Sequence, residues 1–228
     1  MRSLAEQSRP RVALGIPVLH AVGGREFYAH LRVVGELSLQ ADWILPMAYN
    51  LVPYARARNC VVDKAVEHDC DYVYFVDADQ TIPPGAYGEL LRVLRERGAA
   101  VVSGNYVKRG YPYDPVWAAE WDEWDSDGEP AVLHGCGLGC ALIDLRWVRA
   151  NLAPPWFDVE AGGPSEDYDF CNRVRAAGGL ILGHPGILCG HATQDTPPVT
   201  AANRRHYQTL YEMDRPGEPG PGAEHGQD

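Results

Sequence analysis

The run Tyr72-Val-Tyr-Phe-Val76 narrows the fold more than any other segment. Five consecutive aromatic or β-branched residues, with no polar residue alternating between them, describe a strand covered on both faces. Such strands belong to the middle of a sheet packed between helices. Asp77-Ala-Asp79 follows at once, so two carboxylates stand where the strand should end. In open α/β sheets, ligands bind in the crevice outside the carboxyl ends of the strands.

The flanking segments repeat a strand–helix alternation. Val12 to Val18 reads as a buried first strand, and Glu26 to Leu39 as a helix with Phe27, Leu31, Val34 and Leu37 on its apolar side. Trp43 to Met47 is a candidate second strand. Pro53 suits a helix start and opens a helix to about His68. Pro83-Pro84 precedes another helix, in which Tyr87, Leu90, Leu91 and Leu94 fall at helical spacing and Gly98 provides the stop. Ala99 to Ser103 is the next strand. This order predicts an α/β fold: a single Rossmann-like domain whose mostly parallel central sheet carries helices on both faces.

The second half is less regular. Residues 105–130 are rich in Tyr, Trp, Asp and Pro. Gly135-Cys-Gly-Leu-Gly139 leads into a strand at Cys140 to Ile143, then a short helix from Leu145 to Asn151. Asp167 to Ala177 is helical and stops at Gly178-Gly179. Leu180 to Leu182 and Ile187 to Cys189 are short strands, and Val199 to Met213 is a final helix. The expected division is an extension (1–10), a main domain (11–195), a C-terminal helix (196–214) and a disordered tail (215–228) rich in Pro, Gly and acid.

Length and charge bound what such a domain can do. The 228 residues suffice for one sizeable core, and the net charge of −11 disfavours nucleic acid and anionic membrane as general partners. No apolar run approaches the roughly 18 residues of a membrane span, and the first residues lack a signal-peptide core, so a cytoplasmic location is expected. The six cysteines form no C-x-x-C pair and read as reduced, mostly buried thiols. A zinc site at Cys136 and Cys140 has poor spacing and no second pair.

Four groups of residues can carry chemistry, and each has a plain structural alternative. Asp77 and Asp79 offer hard oxygens for Mg²⁺ or Mn²⁺ shared with substrate phosphates, or are turn residues after a strand. Arg56 and Arg58, with Asn59, near a helix start could meet phosphate, or form a solvated helix face. Glu166 and Asp167 follow a candidate N-cap, Ser165, where acidic residues favour the helix dipole; one of them could instead be a general base. His191 could ligate a metal or be an ordinary half-buried histidine. His184 is assigned to the second kind.

Taken in order, these segments resemble the family 2 glycosyltransferases with the glycosyltransferase A fold. The resemblance runs over about residues 11–195. It rests on the strand VALGIPV, on Ala57-Arg58-Asn59, on Val73-Tyr-Phe-Val-Asp-Ala-Asp79, on Gly135 to Ile143, on Ser165-Glu-Asp-Tyr-Asp-Phe-Cys171, and on His184-Pro185 before Gly190-His191. It implies a metal-dependent transfer of a sugar from a nucleotide-sugar donor, a UDP- or GDP-sugar, to a hydroxyl-bearing acceptor, with inversion. Asp79 and His191 would hold Mn²⁺ or Mg²⁺, with Asp77 facing the metal or the donor. Ile16, Pro17, Arg58, Asn59, Asp77, Ala78 and Asp79 would line the donor. Asp167 would be the base, assisted by Glu166, with Gly137, Glu166 and Trp117 toward the acceptor. A nucleic-acid acceptor is disfavoured by charge.

Two departures from the pattern stand out. The first strand ends without the usual acidic residue, and the loop from Tyr111 to Trp124 has no counterpart; an acceptor loop or lid is one reading of it. Two other functions remain. Asp77-Ala-Asp-Gln-Thr81 also fits a haloacid dehalogenase-type phosphatase with Asp77 as nucleophile. That motif normally sits on the opening strand and needs a downstream lysine, for which only Lys108 is present. A non-catalytic sugar-nucleotide-binding domain is the other.

Overall fold

A computed structural model describes residues 9–18, 22–46, 53–118, 128–159, 163–192 and 198–214. Its strands are β1 (Arg11–Gly15), β2 (Asp42–Ile44), β3 (Tyr72–Val76), β4 (Gln80–Thr81), β5 (Val101–Asn105), β6 (Trp117–Ala118), β7 (Ala131–Val132), β8 (Gly135–Cys136), β9 (Cys140–Asp144), β10 (Ile181–Leu188) and β11 (Gly190–His191). Its helices are α1 (Gly24–Gln40), α2 (Tyr54–Glu67), α3 (Ala86–Arg97), α4 (Leu145–Asn151), α5 (Glu166–Ala176) and α6 (Arg204–Asp214).

Seven strands form the central sheet in the order β2-β1-β3-β9-β5-β10-β7. β2, β1 and β3 pair parallel, as do β5 and β10. β9 is antiparallel to both of its neighbours, β3 and β5. Five strands therefore share one direction, and the sheet is mostly parallel. The reversal of β9 follows from its connection. The chain leaves β5 at the carboxyl edge and returns to that edge at Gly139, so its next strand must run back down the sheet.

The run that defines β3 is buried along its whole length. Its side chains alternate between two cores. Tyr72, Tyr74 and Val76 join Leu37, Tyr87, Leu90 and Leu94 beneath α1 and α3. Val73 and Phe75 join Val61, Leu145, Phe157 and Phe170 beneath α2, α4 and α5. Fully burying a large apolar side chain contributes roughly 1.5–3 kcal/mol, so β3 ties the two layers together.

Several boundaries move. The expected second strand contracts to Asp42–Ile44, and Met47 lies outside the described residues. The two short strands expected at 180–189 are one strand, β10, whose pairing with β5 slips between His184 and Leu188. The slip falls at Pro185, which has no N–H to donate to the ladder. The last helix begins at Arg204 rather than Val199. Gly98 closes α3 in the left-handed conformation, φ 62°, as its position predicted. Ser165 occupies the N-cap of α5, but its side chain makes no capping bond. Residues 119–127 of the aromatic and acidic loop, residues 1–8 and the tail 215–228 lie outside the described residues. Among the described residues, no helix is long and apolar enough to cross a membrane.

Candidate active site

The carboxyl end of β3 gathers the candidate residues, and it divides Asp77 from Asp79. Asp77 continues the pairing with the Gly-rich segment, its N–H donating to the Gly139 carbonyl at 2.9 Å. The chain then turns through Ala78 into the short strand β4, with the Gln80 N–H donating back to the Asp77 carbonyl. β4 pairs antiparallel with β11, which sets His191 opposite Gln80. Asp77 and Asp79 thereby enter two different charge clusters.

The first cluster is built around Arg58 on α2. Its side chain is 2% exposed. Its Nε lies 3.0 Å from Asp167 and 3.5 Å from Glu166, and its Nη2 lies 3.3 Å from Asp77. The guanidinium also packs 5.0 Å from the centre of the Phe75 ring. Burial opposes its charge, but Asp167, Asp77 and Glu166 outweigh that and hold its pKa above the ordinary arginine value. Nη1 is buried with no hydrogen-bond partner. Asp167, at the start of α5, accepts a hydrogen bond from the Leu138 N–H at 3.0 Å. Burial, with the charges of Glu166 and Asp77, raises its pKa to about 7 against the opposing pull of Arg58.

The second cluster joins Asp79 to His191 and Arg109. His191 Nε2 lies 3.2 Å from Asp79 Oδ2, and Arg109 forms an ion pair with the same oxygen. His191 Nδ1 is 2.8 Å from the Val107 carbonyl. A carbonyl only accepts, so Nδ1 carries the proton. Burial lowers the His191 pKa, which favours the neutral ring and leaves a lone pair on Nε2, directed at Asp79. Two acceptors face each other there, an arrangement that a cation between them relieves.

Other residues from the sequence reading have different surroundings. Asn59 does not face the crevice. Its amide donates to the Phe157 carbonyl at 2.7 Å, and its oxygen accepts from the N–H groups of Trp156 and Phe157. It clamps the 156–157 segment against α2, and this corrects the donor-binding expectation. Arg58 likewise lies beneath the carboxylates rather than open to a phosphate.

Trp117 is buried, with Nε1 directed at Gly104 O (3.1 Å) and Ser103 Oγ (3.3 Å), so it belongs to the core and not to an acceptor surface. Gly137 is also buried, its N–H donating to Val116 O. Neighbouring Gly139 has no room for a side chain, since a Cβ would lie 2.9 Å from the Tyr106 hydroxyl and 3.0 Å from Asp77 Oδ2. Ile16 is half-buried and Pro17 buried where β1 ends. His184 is structural as expected: its Nδ1 accepts from the Gly186 N–H, and its Nε2 meets Glu89 at 2.9 Å.

The clamp made by Asn59 yields a direct expectation. Asn59→Ala removes three hydrogen bonds and strands two backbone N–H groups. It should lower stability by about 1–3 kcal/mol, read by chemical denaturation. An unchanged midpoint would mean that water replaces the amide without cost.

Four groups in these clusters are not among the site residues named from sequence, and three of them carry no sequence signal. Tyr106 accepts from the Gly139 N–H at 2.7 Å, and burial followed by the charges of Asp77 and Asp167 holds its hydroxyl well above the phenol range. His30 of α1 reaches the Asp77 carbonyl at 3.3 Å. The Leu138 N–H and Arg109 complete the set. Tyr106, His30 and Arg109 belong to loops or a helix distant in the chain and no local motif marks them, whereas Leu138 lies within the segment Gly135-Cys-Gly-Leu-Gly139.

The phosphatase alternative does not survive the fold. β3 is the third strand in chain order and lies between β1 and the reversed β9, and Lys108 pairs with Asp114 at 3.6 Å.

Residues 44–140 match the family model described as Glycosyl transferase family 2. The chain is 29% identical over 195 residues to the succinoglycan biosynthesis protein ExoM of Rhizobium meliloti (strain 1021), covering 80% of this chain and 60% of that protein. It therefore spans somewhat less than two thirds of that relative's length. Its fold is similar to the crystal structure of A197 from STIV, with a TM-score of 0.62 at 17% identity over 85% of this chain and 91% of the other. The family match over residues 44–140, the ordered motifs and the sheet topology agree, and together they support a family 2 glycosyltransferase with the glycosyltransferase A fold.

Proposed function

We propose that this chain transfers a sugar from a nucleotide-sugar donor, a UDP- or GDP-sugar, to a hydroxyl acceptor with inversion, using Mn²⁺ or Mg²⁺. The observation that carries this reading is the division at the end of β3. Asp79 meets His191 on one side, and Asp77 and Asp167 both meet Arg58 on the other. One crevice thus offers a place for a cation beside a place for a base.

The donor set fits a divalent cation. An oxygen and an imidazole nitrogen 3.2 Å apart match neighbouring ligands of one ion, which stand about 3 Å apart when each bond is about 2.1 Å. The Val107 carbonyl orients the imidazole, the usual support for a ligating histidine. Among the described residues, no group of three or more His, Cys, Asp and Glu could hold an ion. The remaining positions would fall to donor phosphates and water, the habit of Mg²⁺-type sites. When bound, the cation supplies positive charge for the leaving diphosphate.

The protein's residues supply the rest. Asp167, with its pKa near 7, takes the proton of the acceptor hydroxyl. The acceptor oxygen forms its bond to the anomeric carbon as the bond to the diphosphate breaks, and that electron pair leaves with the nucleotide. Attack opposite the leaving group inverts the centre. Arg58 holds Asp77, Glu166 and Asp167 in one arrangement. Glu166 shares the pairing with Arg58 beside the base, and in this reading it contacts the acceptor.

Melting temperature against a panel of nucleoside diphosphates and sugar nucleotides, with and without Mn²⁺, tests the reading. A ligand that binds only the folded chain raises it. One nucleotide should give a metal-dependent rise, lost in Asp79→Ala and His191→Ala. A rise that survives both substitutions removes the cation assignment. Metal-dependent binding without transfer or donor hydrolysis would favour a non-catalytic binding domain.

A further inference from the structure

Arg109 is the one member of the second cluster for which the reading above gives no role. It sits on a hairpin closed by the Val107–Pro115 bridge, by Lys108 N–H donating to Asp114 O at 2.7 Å, and by Tyr113 N–H donating to Gly110 O at 2.8 Å. The same hairpin supplies the Val107 carbonyl that orients His191. Its far side is held by α6. Tyr111 stacks on Tyr211 with centroids 4.4 Å apart, the Tyr111 hydroxyl donates to Glu212 at 2.9 Å, Tyr113 meets Tyr207 edge-on, and Gln208 donates to the Pro112 carbonyl. One piece of backbone therefore fixes the imidazole and carries a guanidinium to the carboxylate opposite it.

We propose that Arg109 is a donor-diphosphate residue that neutralises Asp79 until a divalent cation takes that carboxylate, and then pairs with the donor's phosphates. The proposal rests on the metal-dependent reading above and names a residue that the reading leaves without a role. Asp79 Oδ2 is shared by Arg109 and faces His191 Nε2, so a cation bound to both ligands competes with the guanidinium for that oxygen. The displaced side chain is 57% exposed and can swing by rotation about its own bonds, while the aromatic contacts of α6 hold its backbone in place. A diphosphate entering beside the cation is the partner that a planar guanidinium fork matches. Arg109 would thus oppose the cation alone and favour the cation with diphosphate, which makes the two ligands bind cooperatively.

The two opposed signs make the proposal testable by binding, without turnover. Mn²⁺ alone, and then UDP or GDP at saturating Mn²⁺, are titrated calorimetrically into the full chain, Arg109→Ala, Lys108→Ala and Asp79→Ala. Arg109→Ala should bind Mn²⁺ alone at least threefold more tightly and the better nucleoside diphosphate at least tenfold more weakly. Lys108→Ala removes the same charge from the same hairpin, but Lys108 pairs with Asp114, so both constants should stay within twofold. Unchanged Mn²⁺ affinity in Arg109→Ala, or equal effects from Lys108→Ala, overturns the proposal while leaving the metal site intact. A full chain that binds no Mn²⁺ with either nucleotide, or binds it equally well in Asp79→Ala, overturns the metal-dependent reading itself.

Discussion

Arg58→Met should destabilise the chain by about 3–5 kcal/mol, the usual cost of removing one partner from a buried charge group. The methionine keeps much of the stem that packs on Phe75 but leaves Asp77, Glu166 and Asp167 with no cation among them. Without the pull of Arg58, burial and the neighbouring charges raise the Asp167 pKa further above that of the unfolded chain. The native state would bind protons that the unfolded chain has lost, so the variant's stability should fall further as pH rises. Urea denaturation at pH 6 and pH 8 reads both effects. Adding Asp167→Asn to Arg58→Met should recover part of the loss. A single variant as stable as the parent at both values would mean that solvent, not Arg58, neutralises the carboxylates.

Asp167→Asn should lower the rate of transfer by about 10²–10⁴-fold, the range that a positioned base contributes, while nucleotide-induced stabilisation remains. The amide keeps an oxygen to accept from Leu138 N–H but cannot take a proton. In the parent, kcat/KM should rise about tenfold per pH unit up to about 7 and level off above it, because only the ionised carboxylate accepts the acceptor's proton. The stability linkage has the opposite slope. Burial holds the Asp167 pKa above the ordinary carboxylate value of about 3.9. Between about pH 4 and 7 the native chain therefore keeps a proton that the unfolded chain has lost, and this contribution to stability falls as pH rises through that window. Activity that climbs while stability declines over one interval is the signature expected of Asp167. Near-parental turnover in Asp167→Asn would move the base assignment to Glu166 or elsewhere.

Much of this was present in local sequence. The unbroken run at 72–76, the glycine after α3 and the acidic first turn of α5 each act over a few residues, and each lies where its pattern indicated. Asp77, Asp79, Asp167 and His191 could be singled out as candidates because each stands at the end of a strand or the start of a helix, and such ends converge on one edge of an α/β sheet. The same local reasoning misplaced Asn59 and Trp117. A polar or aromatic residue beside a motif carries no mark of whether it faces the crevice or the interior.

Sequence by itself determined the alternation of strands and helices, the two-sided burial of β3 and the chemical types gathered at its carboxyl end, because periodicity and turn chemistry are short-range properties. Tertiary structure alone decided the insertion of β9 against its neighbours, the separation of Asp77 from Asp79, and the partners of Arg58 and Arg109. Those outcomes depend on which distant segments meet after the chain returns to the same edge of the sheet. The charge of a buried side chain is set by those neighbours, not by the residues beside it in the chain.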